Sequence, residues 1–226
     1  MGFFLRPDVD HMKGLIAREG MPFFLLPLIM GLLCLVLGWF IWGGLLALVG
    51  FLLGSFFRDP ERTIPQQPGL IVSPADGKVI RLSQSTHGTV VGIFLSVLNV
   101  HVNRAPIGGA IRAQEYRPGK FLMAFSDRAS VENEQMVWQI EGEDAVTFRL
   151  IAGWVARRIV AWKREGDIVG RGDRIGLIKF GSRAEITIPP GFAVVVSRGD
   201  RVRGGSSILA RRESQDSQTH GRERAG

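Results

Sequence analysis

Cysteine is nearly absent from this chain of 226 residues, with Cys34 its single example. That excludes an intramolecular disulfide and any metal site built on cysteines. Charge is missing altogether from Met21 to Phe57, a run of 37 residues. One such run argues against a wholly soluble protein, and against a polytopic transporter as well. Clusters of Lys and Arg interleaved with aromatics are absent outside the flanks of that run. Nucleic acid is therefore not the expected partner, although 28 Lys+Arg against 21 Asp+Glu leave a net charge of +7. Histidines number four, and no Gly-x-Ser-x-Gly elbow of a hydrolase occurs.

What the chain does have is first of all the uncharged run itself. A bilayer core takes about 20 apolar residues per helix, so the run is long for one span and short for two. Gly43-Gly44 near its middle suggests two short helices, roughly 22–39 and 44–57, joined by a tight turn as a membrane-associated hairpin. Trp39 and Trp42 flank that turn, where aromatic rings suit a membrane interface. The competing reading is a helical hairpin in a soluble core, but neither half has the polar face of a surface helix. A cleaved signal peptide is disfavoured by the mixed charges of the N-terminal arm, 1–20, and by the apolar length. Lys13 and Arg18 before the run and Arg58 and Arg62 after it favour both ends on the cytoplasmic side. The large domain would then face the inner leaflet of the cell membrane. There the positive balance has a use, since attraction to anionic lipid is worth about 1 kcal/mol per basic residue close to the surface.

Residues 58–69 hold three prolines and read as a connector. From Leu70 short β-branched runs recur between Gly, Pro, Asp and Asn: 89–97, 146–152, 154–162, 175–180, 185–188 and 192–197. No long capped amphipathic helix is evident in this region. The expected class is mainly β, with an antiparallel sandwich- or barrel-like catalytic domain over 70–210 and an N-terminal hydrophobic helical hairpin. A weak repeat supports closed β structure: Gly166-Asp167-Ile168-Val169-Gly170-Arg171-Gly172 is echoed 33 residues on by Gly199-Asp200-Arg201-Val202-Arg203-Gly204-Gly205. Paired Gly-Asp turns of this kind suit two related hairpins. The tail 211–226 has almost no apolar content and reads as disordered.

The four histidines are easily sorted. His11, His87 and His220 lie in polar or terminal segments and read as solvated. His101 lies in the apolar alternation Leu98-Asn99-Val100-His101-Val102-Asn103-Arg104, where it suits either a core histidine bonded to backbone or a catalytic base. Asp76, in Ser73-Pro74-Ala75-Asp76-Gly77, is equally a hairpin-turn residue or a functional carboxylate. Gly-Ser occurs three times, but only Gly181-Ser182 lies between two strand-like runs, where a nucleophile is held on rigid elements. Asp76, His101 and Ser182 together contain an orienting carboxylate, a general base and a hydroxyl nucleophile.

These segments resemble the short-form phosphatidylserine decarboxylase proenzyme family. The resemblance rests on five motifs in order: the hydrophobic segment, Phe57-Arg58-Asp59-Pro60-Glu61-Arg62, Ser73-Pro74-Ala75-Asp76-Gly77, Asn99-Val100-His101-Val102-Asn103-Arg104 and Phe180-Gly181-Ser182-Arg183. Phe-Gly-Ser-Arg stands where the long forms carry Leu-Gly-Ser-Thr. The resemblance implies self-cleavage between Gly181 and Ser182 into a β chain 1–181 and an α chain 182–226, which stay together as a heterodimer. It implies that Ser182 becomes a covalent pyruvoyl cofactor. That group forms a Schiff base with phosphatidylserine and turns it into phosphatidylethanolamine and carbon dioxide. His101 is then the base that activates Ser182 and a donor of the final proton, and Asp76 orients it. Arg104 and Arg183 are nearby cations for the lipid phosphate, though Arg104 is equally a surface charge. No metal is implied, and the partners are phosphatidylserine and an anionic membrane surface. Two other readings stay open on sequence: a membrane-anchored Ser-His-Asp hydrolase using the same residues, and a non-catalytic membrane-tethered β-sandwich module.

Overall fold

A computed structural model describes residues 16–120, 122, 128–153, 158–179 and 182–213. His11, His220, Phe180, Gly181 and most of the expected tail lie outside the described residues. The chain divides into two units, 1–60 and 61–226.

In the first unit a single turn of 3-10 helix, Arg18–Gly20, leads into α1 (Met21–Val36), which is followed by α2 (Phe40–Phe56). The reversal falls at 37–39, where Gly38 takes a φ of 79°, and not at Gly43-Gly44 as the sequence suggested. Gly43 serves packing instead. A Cβ there would lie 2.6 Å from the Leu35 side chain, and one on Gly54 would lie 2.6 Å from the Phe24 ring. Small residues on the inner face let two apolar helices approach closely where the surroundings give no hydrophobic drive to pair. The Ala17 N–H donates to the Phe57 carbonyl at 2.8 Å, so the hairpin begins and ends at the same place. Large apolar side chains such as Leu26, Ile29, Leu32, Ile41 and Phe51 point outward and are exposed. Among the described residues one helix, Arg18–Val36, is long and apolar enough to cross a membrane, while the 17-residue α2 is shorter.

The second unit is built of antiparallel strands. In chain order these are β1 (Leu70–Val72), β2 (Gly77–Ser85), β3 (Gly88–Leu95), β4 (Val102–Arg104) and β5 (Gly109–Arg117). A four-residue helix, α3 (Ala129–Glu132), precedes β6 (Gln135–Glu141), β7 (Ala145–Ile151), β8 (Arg158–Ala161), β9 (Ile168–Val169) and β10 (Arg174–Lys179). The C-terminal part adds β11 (Ser182–Ile188), β12 (Phe192–Val194), β13 (Arg201–Val202) and β14 (Ile208–Arg212). Eight strands form one curled sheet in the order β13-β2-β3-β11-β7-β6-β5-β9, and two three-stranded sheets run β1-β14-β12 and β4-β10-β8. The mainly β, barrel-like class expected from sequence is the class observed. β5 and β6 are not evident in the sequence because their outward positions are charged or amidic, as in Arg112 and Glu115 of β5 and Gln139 and Glu141 of β6.

Alternation along each strand decides the core. On β11 Ala184, Ile186 and Ile188 face inward, opposite Ile93 and Val91 of β3 and beside Leu150 and Phe148 of β7. Trp138 of β6 stacks on Phe148 with ring centroids 5.1 Å apart and closes the layer.

The β2–β3 hairpin turns through Thr86-His87 and requires a glycine at its exit. Gly88 has a φ of 119°, and a Cβ on it would collide with the Ile188 carbonyl oxygen of β11, the strand paired with β3. Gly88→Ala is therefore expected to destabilise the second unit by about 2–3 kcal/mol, combining left-handed strain with a backbone clash. His87→Ala in the same exposed turn should change stability by less than about 0.5 kcal/mol. Thermal unfolding of the two detergent-solubilised variants checks both values.

Candidate active site

Ser182 is the first residue of β11, and its place is fixed from two sides. It pairs with Leu95 at the end of β3, and its neighbour Arg183 pairs with Ile151 at the end of β7. Three residues before it, at Lys179, β10 ends in a different sheet. The chain thus changes sheets between Lys179 and Ser182, where the family resemblance places the Gly181–Ser182 cleavage.

His101 comes to the end of β10 by another route. Beyond Leu95 the chain makes a tight turn over 96–99, with the Asn99 N–H donating to the Ser96 carbonyl at 2.9 Å. The Asn99 side-chain carbonyl locks the turn by accepting from the Ser96 N–H at 2.9 Å and the Ser96 hydroxyl at 2.8 Å. The returning strand then lies against β10: the Ile178 N–H donates to the His101 carbonyl at 3.2 Å, and Val102 faces Leu177. His101 is thereby placed between the end of β3, opposite Ser182, and the end of β10, just ahead of the Gly181–Ser182 bond.

Both side chains are fully buried. His101 Nδ1 lies 2.9 Å from the Asn99 main-chain carbonyl. A carbonyl only accepts, so Nδ1 carries the proton and Nε2 is the basic nitrogen. The Ser182 hydroxyl oxygen makes no hydrogen bond among the described residues. Burying a hydroxyl without a partner costs about 1–3 kcal/mol, and sites retained at such a cost are commonly reactive ones. The side-chain oxygen of Asn103 is likewise without a hydrogen bond among the described residues, while its Nδ2 donates to the His101 carbonyl at 2.8 Å.

Asp76 is almost buried and tied down at both oxygens. Oδ1 accepts from the Gly204 N–H at 2.7 Å and Oδ2 is ion-paired with Arg62 at 2.8 Å. Its segment is joined to that of His101 through the Arg104 N–H, which donates to the Pro74 carbonyl at 2.8 Å. Arg104 itself is buried, with its guanidinium on the Gly172 carbonyl at 3.0 Å.

Arg183 stands apart from these groups. Adjacent residues of a strand point to opposite faces, so Ser182 looks to the core side and Arg183 to the other. There it pairs with Glu185 at 2.7 Å. Glu185 also accepts from Arg149 Nε at 2.9 Å and from the Ser130 hydroxyl at 2.9 Å. Sequence reasoning missed Asn99, Asn103 and Glu185 as parts of the site. The signal for the two asparagines is the alternation Asn99, His101, Asn103, three polar residues on one face of an otherwise apolar run. Glu185 had no comparable signal, because its partners come from distant strands.

Glu185 balances a guanidinium that is only 1% exposed. Removing one partner of a buried pair strands the other charge, at about 3–5 kcal/mol. Glu185→Ala is accordingly expected to destabilise by about that amount, and Thr187→Ala, on the same face of β11, by less than about 1 kcal/mol. Denaturant unfolding followed by the fluorescence of buried Trp138 distinguishes the two.

Comparison with known proteins places the chain in a family. The family model described as phosphatidylserine decarboxylase matches residues 50–210, a span containing Asp76, His101, Ser182 and Glu185. The phosphatidylserine decarboxylase proenzyme of Syntrophus aciditrophicus is 44% identical over 208 residues, which cover 86% of this chain and 96% of that one. The protein of the same name from Symbiobacterium thermophilum is 41% identical over 211 residues, 89% of this chain and 98% of its own. That of Solibacter usitatus is 48% identical over 168 residues, 74% and 82% of the two chains. With the match running through both strands that carry the site and along nearly the whole length of these relatives, the chain belongs to the phosphatidylserine decarboxylase family.

Proposed function

We propose that this chain is the precursor of a self-processing decarboxylase that converts phosphatidylserine to phosphatidylethanolamine and carbon dioxide. The observation that carries the proposal is the Ser182 hydroxyl, buried without a hydrogen bond among the described residues and following Gly181 directly. No substrate or water need enter for the first step, since the electrophile is the preceding peptide carbonyl. Ser182 Oγ attacks the Gly181 carbonyl carbon while its proton passes to His101 Nε2. The C–N bond breaks, the amine of residue 182 takes the proton back, and Gly181 is left as an ester of the serine oxygen. Loss of the Ser182 α-proton then breaks the Cβ–Oγ bond and expels the Gly181 carboxylate. Water hydrolyses the resulting enamine, in its imine form, to a pyruvoyl group and ammonia.

Ser182 fits as the source of that group, because it ends a strand held on both sides and its oxygen has nothing else to satisfy. The pyruvoyl carbonyl supplies the electron sink for decarboxylation. His101 holds the proton that the product carbon must receive. Asn99 keeps the imidazole in the required tautomer, while Asp76, held by Gly204 and Arg62, fixes the segment that is joined to Arg104 through the Pro74 carbonyl. Arg104 is the cation this reading assigns to the lipid phosphate. Arg183, on the other face of β11, fixes the strand that bears the group.

Cleavage leaves a β chain, 1–181, and an α chain, 182–226. Strand pairing supports their persistence as a heterodimer, because β11, β13 and β14 of the α chain pair with β3, β7, β2 and β1 of the β chain. We assign the catalytic unit to the cytoplasmic face of the cell membrane. The support is the basic residues on both flanks of the hairpin and the joining of its two ends.

A denaturing gel tests the proposal. The purified protein should run as two fragments of about 20 and 5 kDa, at ~0.11 kDa per residue. Ser182→Ala and His101→Ala should each stay in one piece and release no carbon dioxide from phosphatidylserine. An uncut chain that is active, or one that reacts at Ser182 with a serine-directed phosphonate as a hydrolase would, overturns it.

A further inference from the structure

The turn that separates Ser182's partner strand from His101 carries the wrong residues for an exposed turn. Turn tips favour Gly, Pro, Asn, Asp and Ser, each for a conformational or solvation reason. Here the ends of the turn are suitable, Ser96 and Asn99 bonding to one another, but the two central residues are Val97 and Leu98. They are 54% and 81% exposed, between fully buried Leu95 and buried Val100. A polar pair would satisfy the same hydrogen bonds, so the fold does not call for apolar residues there.

The neighbourhood narrows what they are for. Leu95, one residue before the turn, is in register with Ser182. At the same end of the molecule β8 and β10 place two basic residues, Arg158 and Lys179, opposite one another in register, just before the chain passes to Ser182. An apolar tip together with a register that pairs two basic positions matches an anionic bilayer, whose acyl boundary takes the apolar tip and whose charge favours a basic surface. A soluble protein partner would call for a broader apolar patch than two residues.

We propose that the Val97-Leu98 turn is a membrane-inserting tip of the catalytic unit, distinct from the α1–α2 hairpin, that seats the Ser182 end of the domain on an anionic lipid surface. The proposal rests on the reading of the chain as an enzyme acting on a bilayer lipid. The hairpin keeps the chain at the membrane, whereas the tip aims the site at it. Because Asn99 follows the tip and fixes the His101 tautomer, the docking element and the catalytic base share one short segment.

The test uses the full chain in vesicles containing phosphatidylserine and phosphatidylglycerol. Cys34→Ser removes the native thiol, and Leu98→Cys or Ile168→Cys then carries an environment-sensitive fluorophore. Ile168 is an 81% exposed control on edge strand β9. The label at 98 should shift to the blue by more than about 10 nm and be quenched by nitroxides on the lipid acyl chains, while the label at 168 shows neither effect. Water-like emission at 98 overturns the proposal. In a second arm, Val97→Asp with Leu98→Asp should leave self-cleavage intact and lower turnover of phosphatidylserine in vesicles by at least about tenfold. Turnover of a short-chain, water-dispersed phosphatidylserine should stay within about twofold. Equal loss on both substrates also overturns it. A parent chain inactive on both substrates refutes the enzymatic reading instead, and the fluorescence result still decides whether the tip inserts.

Discussion

The constraint on which the site depends is the register of β11. This strand is paired on both edges, with β3 over its whole length and with β7 over five residues, Arg183 to Thr187. A slip of one residue would exchange its faces. Ala184, Ile186 and Ile188 would leave the core, and Arg183 and Glu185 would enter it without one another's partners. Hydrophobic burial on one face and a buried ion-pair cluster on the other thus choose the same register. Ser182 inherits its inward orientation from that choice rather than from any bond of its own.

The same register would let the enzyme survive the proposed cut in its active site. The proposed cleavage between 181 and 182 falls between the end of β10 in one sheet and the start of β11 in another. The hydrogen bonds that hold Ser182 run sideways to β3, and those that hold its neighbours run to β7, so none is lost with the peptide bond. The Glu185 cluster has a further part in this. A freed strand end would fray first at its terminal residue, and the second residue, Arg183, is the one clamped by a buried carboxylate.

Much of the fold was legible because turns demand particular residues. The Gly-Asp repeat is the clearest case. Gly166, Gly172, Gly199 and Gly205 all have positive φ, at 89°, 84°, 106° and 77°. Asp167 accepts from the Arg164 N–H and Asp200 from the Ser197 N–H, both at 2.8 Å and both at the same offset of 33 residues. The short strands that follow, β9 and β13, close opposite edges of the eight-stranded sheet, on β5 and β2. What sequence read as two related hairpins is a pair of matching turns leading into strands at opposite edges of one sheet. The helical hairpin was less legible, since a glycine that turns a chain and one that admits a neighbouring helix look alike in one dimension. Gly38 does the first and Gly43 the second. The proposed reacting residues of the candidate site were legible, because their types are set by chemistry. Its supports were not, because Asn99 acts partly through a main-chain carbonyl that any residue possesses, and Glu185 meets Arg149 and Ser130 only after the strands are paired.

Complete burial of both Ser182 and His101 then acquires a meaning that neither residue has alone. A lipid head group cannot reach a fully buried serine, so the uncut chain is closed to its substrate, yet the intramolecular attack on Gly181 needs no entrance. Exclusion of water would protect the ester of the proposed reaction from premature hydrolysis. In the proposed reaction the bond that is cut is also the one whose cleavage produces the reactive group. On that proposal burial of Ser182 and its activation are coupled through a single bond.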